Sequence, residues 1–196
     1  MQIEITQEQA DHYNSLYKRA ISLVRPHVIL DEGREVGEPG WLARRRLRKG
    51  ITLLKQALAI APFKWECRFW IGKALQRLGD RREALTWFGD ALRQEPGNTA
   101  VALEAANEAL ELGEYEVAVA FLRPATALEP SHAALHHNLA VALLLAGRPR
   151  DALQAVDVSA GLKADARAAW LRGWIEDVLA ERRPSPHSMA ELRRGA

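Results

Sequence analysis

The chain has 196 residues, 48% hydrophobic and 27% charged, with a formal net charge of +2. That balance fits a folded soluble protein, excludes a disordered chain, and gives nucleic-acid binding no general support. The single cysteine, Cys67, excludes an internal disulfide or a zinc site built on several thiolates, and it reads as a small buried hydrophobe.

The opening residues, MQIEITQEQ, show no basic lead before an apolar run, so no secretory leader is expected and a cytoplasmic location is the default. A first helix is predicted over 6–23, opening at Thr6 with Gln9 in capping-box register. An irregular insert from Arg25 to Gly40 follows, with three glycines and two prolines. Its His27, Asp31 and Glu32 are loop residues that compose no site. Arg44, Arg45, Arg46, Arg48 and Lys49 then set five cations in six positions, a basic patch at the start of the next helix.

From here a step of 34 residues takes over: Pro62, Pro96 and Pro130; Gly79, Gly113 and Gly147; Ala84, Ala118 and Ala152; Ala57, Ala91 and Ala125. Such a period marks a helix–turn–helix repeat. In the clearest copy, Trp65 to Leu78 is a helix carrying Phe69, Ile71, Gly72 and Leu75. Gly79 supplies a left-handed residue at its end. Asp80, with Glu83 three residues on, is the expected cap of a second helix that runs to about Arg93. Pro96 stops that helix. Gly72, Ala106 and Ala140 are small where two helices approach, and the large Phe88, Leu122 and Val156 share a position that fills the space between.

The third copy departs with Ser159 and Ala164, and its missing proline suggests a softer helix end. Arg167 to Glu181, with Trp170, reads as a cap helix. The domain plan is therefore 1–47 (helix, insert, basic start), 48–166 (repeat array), 167–183 (cap) and 184–196 (disordered tail). The longest apolar stretch, Leu139 to Ala146, is too short to insert in a membrane.

The pattern resembles the tetratricopeptide repeat family. Residues 65–98 match its small, alanine, aromatic, alanine and proline positions with Gly72, Ala84, Phe88, Ala91 and Pro96. Residues 99–132 match with Ala106, Ala118, Ala125 and Pro130, Leu122 replacing the aromatic. The resemblance implies an all-α, right-handed superhelical α-solenoid of antiparallel helix pairs. It also implies a protein-interaction adaptor or scaffold that holds a peptide or partner surface in a concave groove, with no enzyme activity, cofactor or metal.

Carried over from the family, the groove residues are Phe69, Lys73, Arg77, Leu103, Asn107, His137, Val141 and Leu144. Cations at one end and apolar residues at the other suit a peptide with an acidic end and apolar anchors. Alternatively, the cap helix covers the apolar end through Leu171 and Ile175. The family's carboxylate clamp is incomplete, because Val141 stands where the third copy needs a polar group.

His132, His136 and His137 lack an acid or thiol at a matching spacing and read as a polar helix face. The six tryptophans read as packing residues, with Trp41 and Trp65 as the alternative partner anchors. Neither a phosphate-cradling glycine loop nor a nucleophile elbow is present. The alternatives are a homo-oligomeric scaffold, in which the basic run docks on the acidic second copy (Glu104 to Glu129), and a secretion-type chaperone, which the chain resembles in architecture. Nucleic-acid binding through the basic run ranks below both.

Overall fold

Chain direction reverses at three left-handed glycines, Gly79 (φ 89°), Gly113 (φ 78°) and Gly147 (φ 74°). After each, the next N–H reaches back into the helix just finished: Asp80 to the Leu75 carbonyl at 3.0 Å, Glu114 to Ala109 at 2.8 Å, Arg148 to Leu143 at 2.8 Å. A left-handed residue closes the last carbonyls in this way and turns the chain toward an antiparallel neighbour.

The structure is a computed structural model, and it describes residues 5–28 and 37–194. The helices are α1 (Gln7–Val24), α2 (Trp41–Ile60), α3 (Trp65–Leu78), α4 (Arg81–Gln94), α5 (Thr99–Glu111) and α6 (Tyr115–Leu128). They continue with α7 (Ala133–Leu145), α8 (Pro149–Leu162), α9 (Ala166–Leu179) and α10 (Met189–Arg194). A single 3-10 turn, Arg25–His27, follows α1. The fold is all-α, built of the pairs α1/α2, α3/α4, α5/α6 and α7/α8, with α9 packed after them. Among the described residues no helix is long and apolar enough to cross a membrane. The chain divides into two compact units, Met1–Pro96 and Gly97–Ala196, so a boundary falls inside the stretch expected to be one array.

In the first unit, α1 opens with the expected capping box. The Thr6 hydroxyl accepts from the Gln9 N–H at 3.2 Å, and the Gln9 side chain accepts from the Thr6 N–H at 2.8 Å. The basic run lies on the first turns of α2, a 20-residue helix that packs along α1. Of the insert, residues 29–36, including Asp31 and Glu32, lie outside the described residues.

Helix α3 meets α4 at Gly72, where an added Cβ would stand 2.6 Å from the ring of the fully buried Phe88. The expected cap at Asp80 does not form: its backbone (φ −83°, ψ 60°) is not in the extended region that Thr6 occupies, and its side chain makes no cap hydrogen bond. The preceding left-handed turn sets that backbone, and its own bonds close the junction. Cys67 is fully buried, its Sγ 3.6 Å from the Tyr13 hydroxyl, and burial pushes the thiol up to about 11. It is the packed hydrophobe expected, because the thiolate a nucleophile needs is suppressed.

In the second unit the α8 end is not softer for lacking proline. Helix α8 stops at Leu162 with the same 14-residue length as α4 and α6. Buried Ser159 donates its hydroxyl to the Ala133 carbonyl at 3.0 Å, tying that end to the start of α7. Asp165 caps α9 by accepting from the Ala168 N–H at 2.8 Å, and that bond holds its carboxyl below the ordinary carboxylate range.

After α9 the left-handed turn recurs, now on a non-glycine: Glu181 has φ 58°, and the Arg182 N–H reaches the Asp177 carbonyl at 2.9 Å. The tail from Pro184 is ordered through Arg194, against the sequence expectation. Leu192 in α10 is buried at 4% exposure, and Tyr115 donates its hydroxyl to the His187 carbonyl at 3.0 Å. A buried leucine and a long-range hydrogen bond give this polar segment the anchors that its composition does not advertise.

Two stability changes follow. Gly72→Ala should destabilise, because overpacking against an immobile ring costs about 1–3 kcal/mol, against a helix gain of about 1 kcal/mol. Glu181→Gly should stabilise by about 1 kcal/mol, since the left-handed backbone disfavours a Cβ. Urea unfolding monitored by circular dichroism reads both, and an unchanged midpoint in either variant contradicts the corresponding contact or strain.

Candidate interaction face on the first helices

Position along the repeat decides which side chains of α3, α5, α7 and α9 stand on the face expected to bind. In the first unit that face, on α3, is largely taken up by the chain itself. Phe69 is half-buried and packs with Trp65, Trp70 and Phe88 at ring separations of 6.3, 5.6 and 5.9 Å. Lys73 is buried, with 4% of its surface exposed. Arg77 donates from Nε to the His27 carbonyl at 3.0 Å and from its terminal nitrogen to the Gly37 carbonyl.

The guanidinium therefore clasps the two described edges of the insert to α3, a use for which planar, multiply donating arginine is suited. His27 beside it is held below its usual range by burial first, then by Arg46 and Arg77. The cationic groove end expected from Lys73 and Arg77 is thus corrected. One side chain is inside the fold and the other is bound to backbone carbonyls.

The basic patch on α2 stays open. Arg45, Arg46, Arg48 and Lys49 are exposed, while Arg44 pairs with Glu38 at 3.1 Å and donates to the Pro39 carbonyl at 3.0 Å. Trp41 is 71% exposed, with the Arg45 guanidinium over its ring at 5.8 Å. The first turn of α2 ahead of these cations carries no acidic residue.

The second unit carries the more open first-helix face. Asn138 donates its amide to Asn107 at 2.7 Å, a polar rung from α7 to α5. Leu103, Glu104, Asn107, Glu111 and His137 are half-buried around it, while Ala102, Ala105, Ala106 and Ala109 are buried behind. Steps of three and four residues place Glu104, Asn107, Glu108 and Glu111 along one stripe of α5.

The apolar end expected at Val141 and Leu144 is closed, with exposures of 6% and 0%. From Leu139 to Leu145 helix α7 is apolar on all sides and buried accordingly. Helix α9 packs against α8 and α7 with Leu171 and Ile175 fully buried, which is the covering alternative read from sequence. The His136 ring nitrogen sits 3.0 Å from the Pro130 carbonyl, and among the described residues no three His, Cys, Asp or Glu side chains gather for a metal.

Sequence reasoning missed the end of the chain. Arg193 forms an ion pair with Glu111, on the α5 stripe. The Ser188 hydroxyl accepts from the Glu191 N–H at 3.2 Å, and the Glu191 carboxylate accepts from the His187 N–H at 2.9 Å. Ser188 three residues before Glu191 is the capping spacing that could have signalled a short helix here.

A tetratricopeptide repeat model matches residues 109–175. No curated protein is significantly similar in sequence. Among solved structures, MamA AMB-1 is 16% identical, covering 94% of this chain and 97% of its own, with a TM-score of 0.67. MamA from Desulfovibrio magneticus RS-1 is 16% identical over 98% and 95%, with a TM-score of 0.68. YrrB, described as a tetratricopeptide repeat protein with an unusual peptide-binding site, is 17% identical over 77% of each chain, with a TM-score of 0.64. At these identities the likeness establishes the fold. With its 34-residue helix pairs and their left-handed turns the chain has the fold of these structures, and residues 109–175 match the tetratricopeptide repeat.

Proposed function

We propose that the chain is a non-enzymatic interaction scaffold whose recognition face is the α5–α7 surface of the second unit. The observation that carries the reading is the Asn107–Asn138 rung, half-buried on the acidic stripe of α5 among alanines. Side-chain amides at hydrogen-bonding depth can fix the backbone of an extended or helical segment, and small neighbours let it come close. The partner expected from sequence had an acidic end. The half-buried Glu104 and Glu111 of that stripe support a cationic one instead, Glu108 between them being inside the fold at 1% exposure. The peptide-binding site named for YrrB lends the reading a likeness of fold.

Titration with arginine-rich and aspartate-rich peptides tests this reading. The basic peptides should bind, and Glu104→Lys or Asn107→Ala should each weaken them about tenfold, equal to about 1.4 kcal/mol, with helicity unchanged. Preference for the acidic peptides, or indifference to both substitutions, rejects the face.

A second reading rests on the open cations of α2. Arg45, Arg46, Arg48 and Lys49 with the exposed Trp41 form a surface complementary to the α5 acids of another copy. Head-to-tail contact of this kind builds rings or filaments. Sedimentation velocity should then show mass rising with concentration and collapsing on Arg45→Glu plus Arg46→Glu. A monomer at every concentration ends it.

A further inference from the structure

The first helices α3, α5 and α7 are each followed, after a left-handed residue and one more, by a second helix that starts at Arg81, Tyr115 or Pro149. Helix α9 is followed by the same left-handed turn at Glu181, so a second helix is due near Arg183. Pro184 and Pro186 disfavour it, since each drives its predecessor out of the helical region and Pro186 lacks the N–H that would make the first bond of that helix. The position on α9 that is Gly72, Ala106 or Ala140 in the other copies is Trp174, buried at 7% exposure with the Arg183 guanidinium 3.8 Å over its ring. An indole there takes the space into which a second helix would pack. The remaining chain runs instead to the α5–α6 corner and forms α10.

We infer that residues 184–194 are a detachable ligand for the chain's own α5 face, and that the external partner is a short capped helix of the same chemistry, a leucine followed by arginine. This rests on the reading of α5 as the recognition face. The contacts are those of a docked peptide. They comprise two buried side chains, Pro186 and Leu192; a phenol hydrogen bond, from Tyr115 to the His187 carbonyl; and an ion pair, from Arg193 to Glu111.

They are also weak enough to exchange. The Arg193 side chain is 61% exposed in its ion pair, where water screens the attraction, and one proline and one leucine together bury little apolar surface. Helix α9 does not depend on the tail for its core, because Leu171 and Ile175 are fully buried against the elements before it. Undocking α10 therefore uncovers the acidic corner without unravelling the helix that ends the array. A partner helix laid along α5 from Glu111 would also come level with Glu104 and Asn107, so a longer basic helix can outcompete the six-residue α10.

The test uses the full chain and a fluorescein-labelled peptide of residues 184–194, read by anisotropy, with hydrogen exchange on the tail amides. Wild type should bind the peptide weakly, because the face is occupied. Arg193→Glu should release the tail amides to fast exchange and raise peptide affinity about tenfold by freeing the competent state. Adding Glu111→Lys should abolish that gain, and a peptide with glutamate in place of its arginines should restore it. Leu192→Asp is the second undocking variant, should Arg193→Glu leave the amides protected.

Equal binding to wild type and to a released-tail variant overturns the inference, because the tail is then no competitor. Absence of binding to a released-tail variant also overturns it. If the arginine-rich peptides of the previous test still bind through Glu104 and Asn107, the recognition face stands and the self-ligand alone fails. If they do not, the face itself has failed.

Discussion

Everything in this fold depends on turning a helix back along itself within two residues. A left-handed backbone does so while capping the carbonyls the helix leaves behind, and glycine accepts it without a Cβ penalty. The turn fixes where the second helix begins, which fixes what the first can carry opposite it. Gly72 faces Phe88 at a separation no other residue permits, because even a methyl group would enter the ring. Turn and close approach are thus two halves of one requirement, and both recur every 34 residues because the requirement does.

The same requirement shows how the array ends. Glu181 keeps the left-handed turn at the expected step, with the backbone bonds of the three glycine turns. The geometry of the stop is therefore that of a repeat, and the halt comes from side chains. Trp174 fills the space reserved for a second helix, and the prolines at 184 and 186 disfavour its start. Arrays need an end that offers no apolar face, and here a bulky residue in a small residue's place supplies one.

The repeat was legible because its determinants are local or periodic: Gly79, Gly113 and Gly147 announce turns, and Gly72, Ala106 and Ala140 announce contacts. The candidate face was much less so. Lys73 and Arg77 stand at binding positions by register, yet one is buried and the other holds the His27 and Gly37 carbonyls. Those carbonyls belong to an insert with no period, and no spacing rule could place them on α3. Val141 and Leu144 failed for a related reason, since an open groove and a covered one have the same apolar sequence. Asp80 shows the limit of local rules even within the repeat. A capping residue directly after a left-handed turn inherits a backbone unsuited to capping.

In each unit, then, a segment outside the period lies on a first helix. The insert edges accept from Arg77 on α3, and the tail gives Arg193 to Glu111 on α5. The two contacts differ in a way that bears on recognition. Two backbone carbonyls hold the Arg77 guanidinium in place through its Nε and one terminal nitrogen, so its orientation is fixed by the chain itself. Arginine on glutamate is a charge pair in water, which salt weakens and a better-placed cation replaces. The first helix of the second unit is therefore the one whose present occupant a partner could displace. On the proposed reading, the sign of that partner follows from the carboxylates of α5 and not from the lysine and arginine that the repeat register had put forward.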